Sequence, residues 1–108
     1  MKNPRMKRSI EYADNRISQY AAQYGRCAIT GRMLLPHEIH CHHKLPLSMG
    51  GTDKYNNLII LDEQVHQLLH ATLPETTAQY LGILQLTKNQ LQKLNQLRKQ
   101  ANLSEIHC

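Results

Sequence analysis

The chain has no Trp and no Phe among its 108 residues, and its five aromatic residues are all Tyr. A large aromatic core is thereby excluded, and burial must come from Leu, Ile, Met, Ala and Tyr. Cysteine is scarce, at three residues: Cys27, Cys41 and Cys108. An odd number at wide spacing argues against a disulfide framework. Acidic residues are few, at 8 against 13 Lys and Arg, for a net charge of +5. No stretch approaches the ~20 apolar residues of a membrane span. The basic opening runs into Glu11, Asp14 and Asn15, so no apolar signal segment follows it. These absences predict a cytoplasmic chain with reduced thiols and no membrane partner. Its length fits one small domain, which a metal site could help to hold together.

Seven of the 13 basic residues lie within the first 32 positions: Lys2, Arg5, Lys7, Arg8, Arg16, Arg26 and Arg32. Such a bias favours a polyanionic partner, most simply nucleic acid.

The pattern predicts a basic arm over 1–8, a core over 9–71 and a helical extension of the same domain over 72–104. Within the core, Ile10, Ala13, Ile17, Tyr20, Ala21 and Tyr24 recur at spacings of three and four, predicting an amphipathic helix over 9–24 that Gly25 ends. Glu38 to Leu45 reads as a strand, 46–56 as a long loop, and Asn57 to Leu61 as an apolar second strand. Asp62 is a suitable N-cap for a helix through Ala71. Pro74 opens a further helix to about Leu84. Thr87-Lys88-Asn89-Gln90 has capping-box form before a last helix with Leu91, Leu94 and Leu97 on one face, free to pack on the domain's own core or on a partner. No residue of the last 35 suggests chemistry, and His107 and Cys108 are expected to be disordered.

The chemistry concentrates in His42-His43-Lys44-Leu45-Pro46, Gly50-Gly51-Thr52-Asp53, Asn57-Leu58, His66 and His70. His66 and His70, four apart on a helix, project from one face and can reach one divalent ion. Neighbours on a strand point to opposite faces, so His42 and His43 take different roles, one toward a metal and the other toward a water. A neutral imidazole can accept a proton from that water near neutral pH. Asn57 can brace the loop with its amide or serve as an oxygen ligand. Cys41 alternates away from His42, and His37 and His40 are read as exposed or packing residues.

The run from His42 through Gly-Gly-Thr-Asp to Asn57-Leu58, His66 and His70 resembles the HNH endonuclease motif. It is most similar to the HNH domain at the C-terminus of group II intron-encoded reverse transcriptases, or maturases. Ser9-Ile-Glu-Tyr-Ala-Asp-Asn-Arg-Ile-Ser, Gly25-Arg-Cys-Ala-Ile-Thr-Gly, Val65-His-Gln-Leu-Leu-His-Ala and Leu91-Gln-Lys-Leu-Asn-Gln-Leu-Arg-Lys follow in the same order. The resemblance implies an α+β fold with a ββα-metal motif and flanking helices. It implies hydrolysis of DNA phosphodiester bonds by nicking, in the service of intron mobility. His43 would be the general base, and His42, His66 and His70 the ligands of one divalent ion. Asn57 would be the middle letter of the motif, a loop brace or a ligand. Mg²⁺ is the implied ion in the cell, with Zn²⁺, Ni²⁺ or Mn²⁺ as alternatives better suited to nitrogen donors. The structural zinc of many relatives is not expected, because the four thiol positions read Cys27, Thr30, Asp62 and Val65. Cys27 is instead expected to be a small buried residue. DNA contacts, mostly to phosphates, are assigned to the arm, Arg16, Arg26, Arg32, Lys44 and Lys54. Intron RNA and reverse transcriptase domains are further implied partners. With its own Met1 and no polymerase motif, the chain reads as an excised domain or a stand-alone remnant. Two other readings stand beside this one: a non-catalytic, metal-stabilised nucleic-acid-binding module, and a stand-alone nuclease of toxin or phage type.

Overall fold

A computed structural model describes residues 4–107, with side chains from residue 10 onward. Among the described residues, four α-helices accompany one two-stranded antiparallel sheet, a small α+β arrangement. In chain order these are α1 (Pro4–Ala22), β1 (Ile39–His43), β2 (Leu58–Asp62), α2 (Glu63–His70), α3 (Pro74–Leu84) and α4 (Lys88–Gln100). No described helix is long and apolar enough to cross a membrane.

The first helix begins at Pro4, which has no backbone N–H to waste in the first turn. Residues 4–8, expected as part of an arm, therefore continue the helix; residues 1–3 of that arm lie outside the described residues. The helix ends at Ala22, two residues before the expected Tyr24. Tyr24 and Gly25 turn out of it with φ of 55° and 69°, and Gly25 N–H donates to Tyr20 O at 2.9 Å.

The face by which α1 docks differs from the expected apolar stripe. Ile10, Ile17 and Tyr24 remain 61%, 65% and 83% exposed. The docked face carries amides instead. Gln23 Nε2 donates to Ile60 O at 3.0 Å while its Oε1 accepts from Ile60 N–H at 3.0 Å. Asn15 and Gln19 donate to the carbonyls of Asp53 and Tyr55, each at 2.8 Å. The physical reason is the edge of β2. Backbone groups there must be paired, and a glutamine amide, which both donates and accepts, pairs them as a neighbouring strand would. Tyr20 is the member of the expected stripe that does pack against the core, donating its hydroxyl to Leu34 O.

The strands pair Ile39 with Asp62, Cys41 with Ile60 and His43 with Leu58. Strand β1 is shorter than expected at both ends: Pro36–Glu38 form a 3₁₀ turn before it, and it stops at His43, short of Leu45. Asn57 closes a similar turn (Tyr55–Asn57) rather than opening β2. Leu58, Ile60, Leu61, Val65, Leu68 and Leu69 are fully buried with Leu94 of α4. Leu97 belongs to the same cluster and Leu91 packs against it, so the α4 stripe covers the domain's own core. Cys27 and Ile29, in the turn after α1, are buried there too, as expected for Cys27.

Helix α2 is fixed at both ends. Asp62 caps its start, accepting from Gln64 N–H at 2.7 Å. At its other end stands Arg98 of α4, only 5% exposed. Its Nη1 donates to Leu69 O at 2.7 Å and Ala71 O at 2.9 Å, and its Nε to Ser104 O at 2.6 Å. A cation against carbonyls at a helix C-terminus is favoured by the helix dipole. Arg98→Met is expected to lower the unfolding free energy by about 3 kcal/mol, because it strands buried carbonyls. Urea denaturation measures this; an unchanged midpoint would show that the carbonyls find water instead.

The C-terminal segment is tied down as far as Ile106, which is buried. Its backbone N–H donates to Asn95 Oδ1 at 2.7 Å, and Asn95 Nδ2 donates to its carbonyl at 2.9 Å. The expected disorder of the end therefore does not reach back to this residue. His107 is exposed, and Cys108 lies outside the described residues.

Candidate metal centre

The fold brings His42, His66 and His70 together. His42 points from β1 toward α2, whose two histidines face it one turn apart. Ring centroids lie 5.5 Å apart for His42 and His66, 5.2 Å for His42 and His70, and 4.6 Å for His66 and His70. One nitrogen from each ring falls within 4.8 Å of the others.

Whether this set fits a metal ion can be judged from three of its properties. First, His42 is 3% exposed, and its Nε2 is buried without a hydrogen-bond partner. An orphaned buried polar atom costs about 1–3 kcal/mol, and such atoms mark unfilled roles. Second, His66 Nε2 and His70 Nε2 lie 3.1 Å apart. Two nitrogens about 2.0–2.1 Å from one tetrahedral zinc would lie about 3.3 Å apart. Third, the rings are held neutral, the form that ligates metals. Burial, then the neighbouring His66, His70 and His43, lowers the His42 pKa to about 3. Burial, then His70 and His40, lowers that of His66 to about 4. Burial and then Arg98 lower that of His70. The three residues can therefore bind a metal ion, and His70, which is exposed, leaves the site open on one side.

His43 stands on the next position of β1 and borders the same open cavity as the other three histidines, together with Pro46, Leu47 and Ser48. Its Nε2 lies 2.8 Å from Asp53 Oδ1. The Tyr12 ring is stacked on its imidazole, with centroids 5.6 Å apart and planes 12° apart.

No protein-family model, curated protein or solved structure matches the chain.

Asn57 braces the loop between the strands. Its Oδ1 accepts from Leu45 N–H at 2.9 Å, and its Nδ2 donates to Thr52 O at 2.7 Å and Leu45 O at 3.1 Å. Both ends of the amide are thus engaged by backbone. The same loop explains the glycine pair. Gly50 has φ of 91°, and a Cβ at Gly51 would lie 1.8 Å from Leu45 O. Asn57→Ala is expected to cost about 2 kcal/mol of stability through the lost loop bonds. Metal binding by the folded variant, measured by calorimetry, should persist; its selective loss would make Asn57 a ligand.

The basic residues singled out in the sequence divide. Arg26 and Lys54 are exposed, and Arg16 and Lys44 half-buried. Arg32 is engaged within the protein, paired with Asp62 and, at 3.9 Å, with Glu38. This ion pair steadies the α2 cap while leaving the Arg32 side chain 56% exposed. His40 packs its ring on His66. Cys41 and Cys27 are free thiols. Sequence reasoning gave no role to Asp53, Tyr12 or Arg98. The Gly-Gly-Thr-Asp run was the one available signal, since a loop folded back on its strand returns its acidic residue to the strand's end.

Proposed function

We propose that the chain is a metal-dependent DNA endonuclease of the HNH type, with its β1–β2–α2 unit serving as a ββα-metal motif. The observation that carries this reading is the orphaned, buried His42 Nε2 facing His66 and His70 in the cavity that His43 also borders. His42, His66 and His70 would hold one divalent ion. Such an ion supplies Lewis-acid stabilisation of the charge that grows on a phosphodiester and its leaving oxygen. Three neutral donors leave the ion's charge undiminished, and an all-nitrogen set favours Zn²⁺, Ni²⁺ or Mn²⁺ over Mg²⁺.

His43 acts as general base. Asp53, as a carboxylate, only accepts, so the proton on His43 sits on Nε2 and the Nδ1 lone pair is free. Nδ1 takes a proton from the attacking water as its oxygen bonds to phosphorus; the phosphorus–oxygen bond to the leaving group breaks, and the departing oxygen takes up a proton from solvent. Asn57 holds the loop from which Asp53 reaches His43. Arg16, Arg26, Lys44 and Lys54 supply positive charge for the DNA backbone. The resemblance to intron-encoded maturases makes nicking of one target strand, in partnership with intron RNA and a reverse transcriptase, the reading of its biological role.

The test is incubation of supercoiled plasmid with the purified chain and Mg²⁺, Mn²⁺, Ni²⁺ or Zn²⁺, against EDTA. Open circles formed with a metal and not with EDTA are the expected result. No cleavage with any ion, by a folded and metal-loaded chain, would overturn the proposal in favour of a binding module.

A further inference from the structure

We infer that Asp53 is a positioning residue, which with Tyr12 fixes the ring plane and the tautomer of His43; the inference deepens the nuclease reading and rests on it for its catalytic consequence. Asp53 is 6% exposed. A buried carboxylate is costly unless hydrogen-bonded, and the His43 ring supplies such a bond. Its position is held twice. Asn57 braces the loop through the Thr52 carbonyl, one residue away. Asn15 of α1 donates to the Asp53 carbonyl at 2.8 Å. The docking of α1 by its amide face thus sets the position of this carboxylate.

From there Asp53 Oδ1 meets His43 Nε2 at 2.8 Å. A carboxylate accepts and cannot donate, so the contact selects the Nε2–H tautomer and leaves Nδ1 as the basic atom. Tyr12, one turn before Asn15 on the same helix, lies parallel to the imidazole at 5.6 Å and limits rotation of the ring. One helix therefore carries both supports: Tyr12 against the ring and Asn15 against the backbone of its partner. A base fixed in orientation and tautomer needs no reorganisation when water is attacked, and a third group orienting the base recurs in activated-water and nucleophile sites.

The experiment compares wild type with Asp53→Asn and Asp53→Glu by ¹⁵N-resolved NMR of the His43 ring and by plasmid nicking, with Zn²⁺ titration as control. In wild type the His43 ring is expected as the Nε2–H tautomer. Asn has the shape of Asp but can donate to Nε2, so Asp53→Asn should shift His43 toward Nδ1–H. It should also lower nicking by about 10-fold or more, up to the full effect of removing the base, with zinc binding unchanged. Asp53→Glu retains an acceptor and should recover the tautomer and part of the rate. Wild-type His43 found as Nδ1–H would overturn the inference, as would an unchanged tautomer and rate in folded Asp53→Asn. If Asp53→Asn does not fold, the wild-type tautomer and Asp53→Glu decide. The NMR result stands without cleavage, so an inactive wild type with the Nε2–H tautomer would count against the nuclease reading and for the positioning role.

Discussion

His43→Ala is expected to lower metal-dependent plasmid nicking by about 10²- to 10⁴-fold, the usual contribution of a general base, while fold and metal stoichiometry persist. The dissociation follows from where the two functions sit. His42 turns to His66 and His70, while His43 turns to Asp53 and Tyr12. Truncating His43 removes no ligand, and the half-buried ring it vacates lies at the edge of the cavity rather than in the apolar core. Gel-resolved nicking, circular dichroism and zinc titration of one sample separate the effects. A nicking-competent His43→Ala protein would remove His43 from the chemistry. An unfolded one would transfer its importance to packing.

The second large effect is a change of sign at His42. In the metal-free protein, the buried and unpartnered Nε2 is a liability. His42→Leu removes that polar atom and fills similar space, so it should raise the stability of the metal-free chain by about 1–3 kcal/mol. With metal the order reverses. An ion present at 1,000 times its dissociation constant stabilises the wild type by about 4 kcal/mol, and His42→Leu forfeits most of that. Denaturation with EDTA and with Zn²⁺, for both proteins, gives four midpoints. A His42→Leu variant less stable in EDTA would show that His42 already has a satisfied structural role. Stability given up at one buried polar residue is what a binding site looks like when its ligand is withheld.

The order of strand, strand and helix, and the histidine pair on the helix, could be read from the chain because local rules determine them. Spacing of four puts His66 and His70 on one face whatever surrounds them. The cap at Asp62 and the apolar run before it are equally local. The docked face of α1 could not be read that way. Periodicity locates apolar side chains, and this helix and the turn after it dock through amides that pair with a strand edge, an arrangement set by the outward-facing backbone of Ile60 rather than by hydrophobicity. Arg98 was hidden for the same reason: a basic residue on a polar helix side reads as solvated until the carbonyls of α2 are seen against it. Asp53 needed the loop's closure, and Arg32 the position of Asp62, to acquire partners. The meeting of the two helical histidines with His42 depended on the pairing of β1 with β2 and the return of α2 across them, which no spacing states.

The proposed function depends on His42, His66 and His70 holding one metal ion between them. Calorimetric titration of Zn²⁺ into the metal-free chain at neutral pH tests it most directly, beside His42→Leu. One ion per chain is expected for the wild type, and loss of that binding for the folded variant. No binding by the folded wild type, or undiminished binding by the variant, would contradict it.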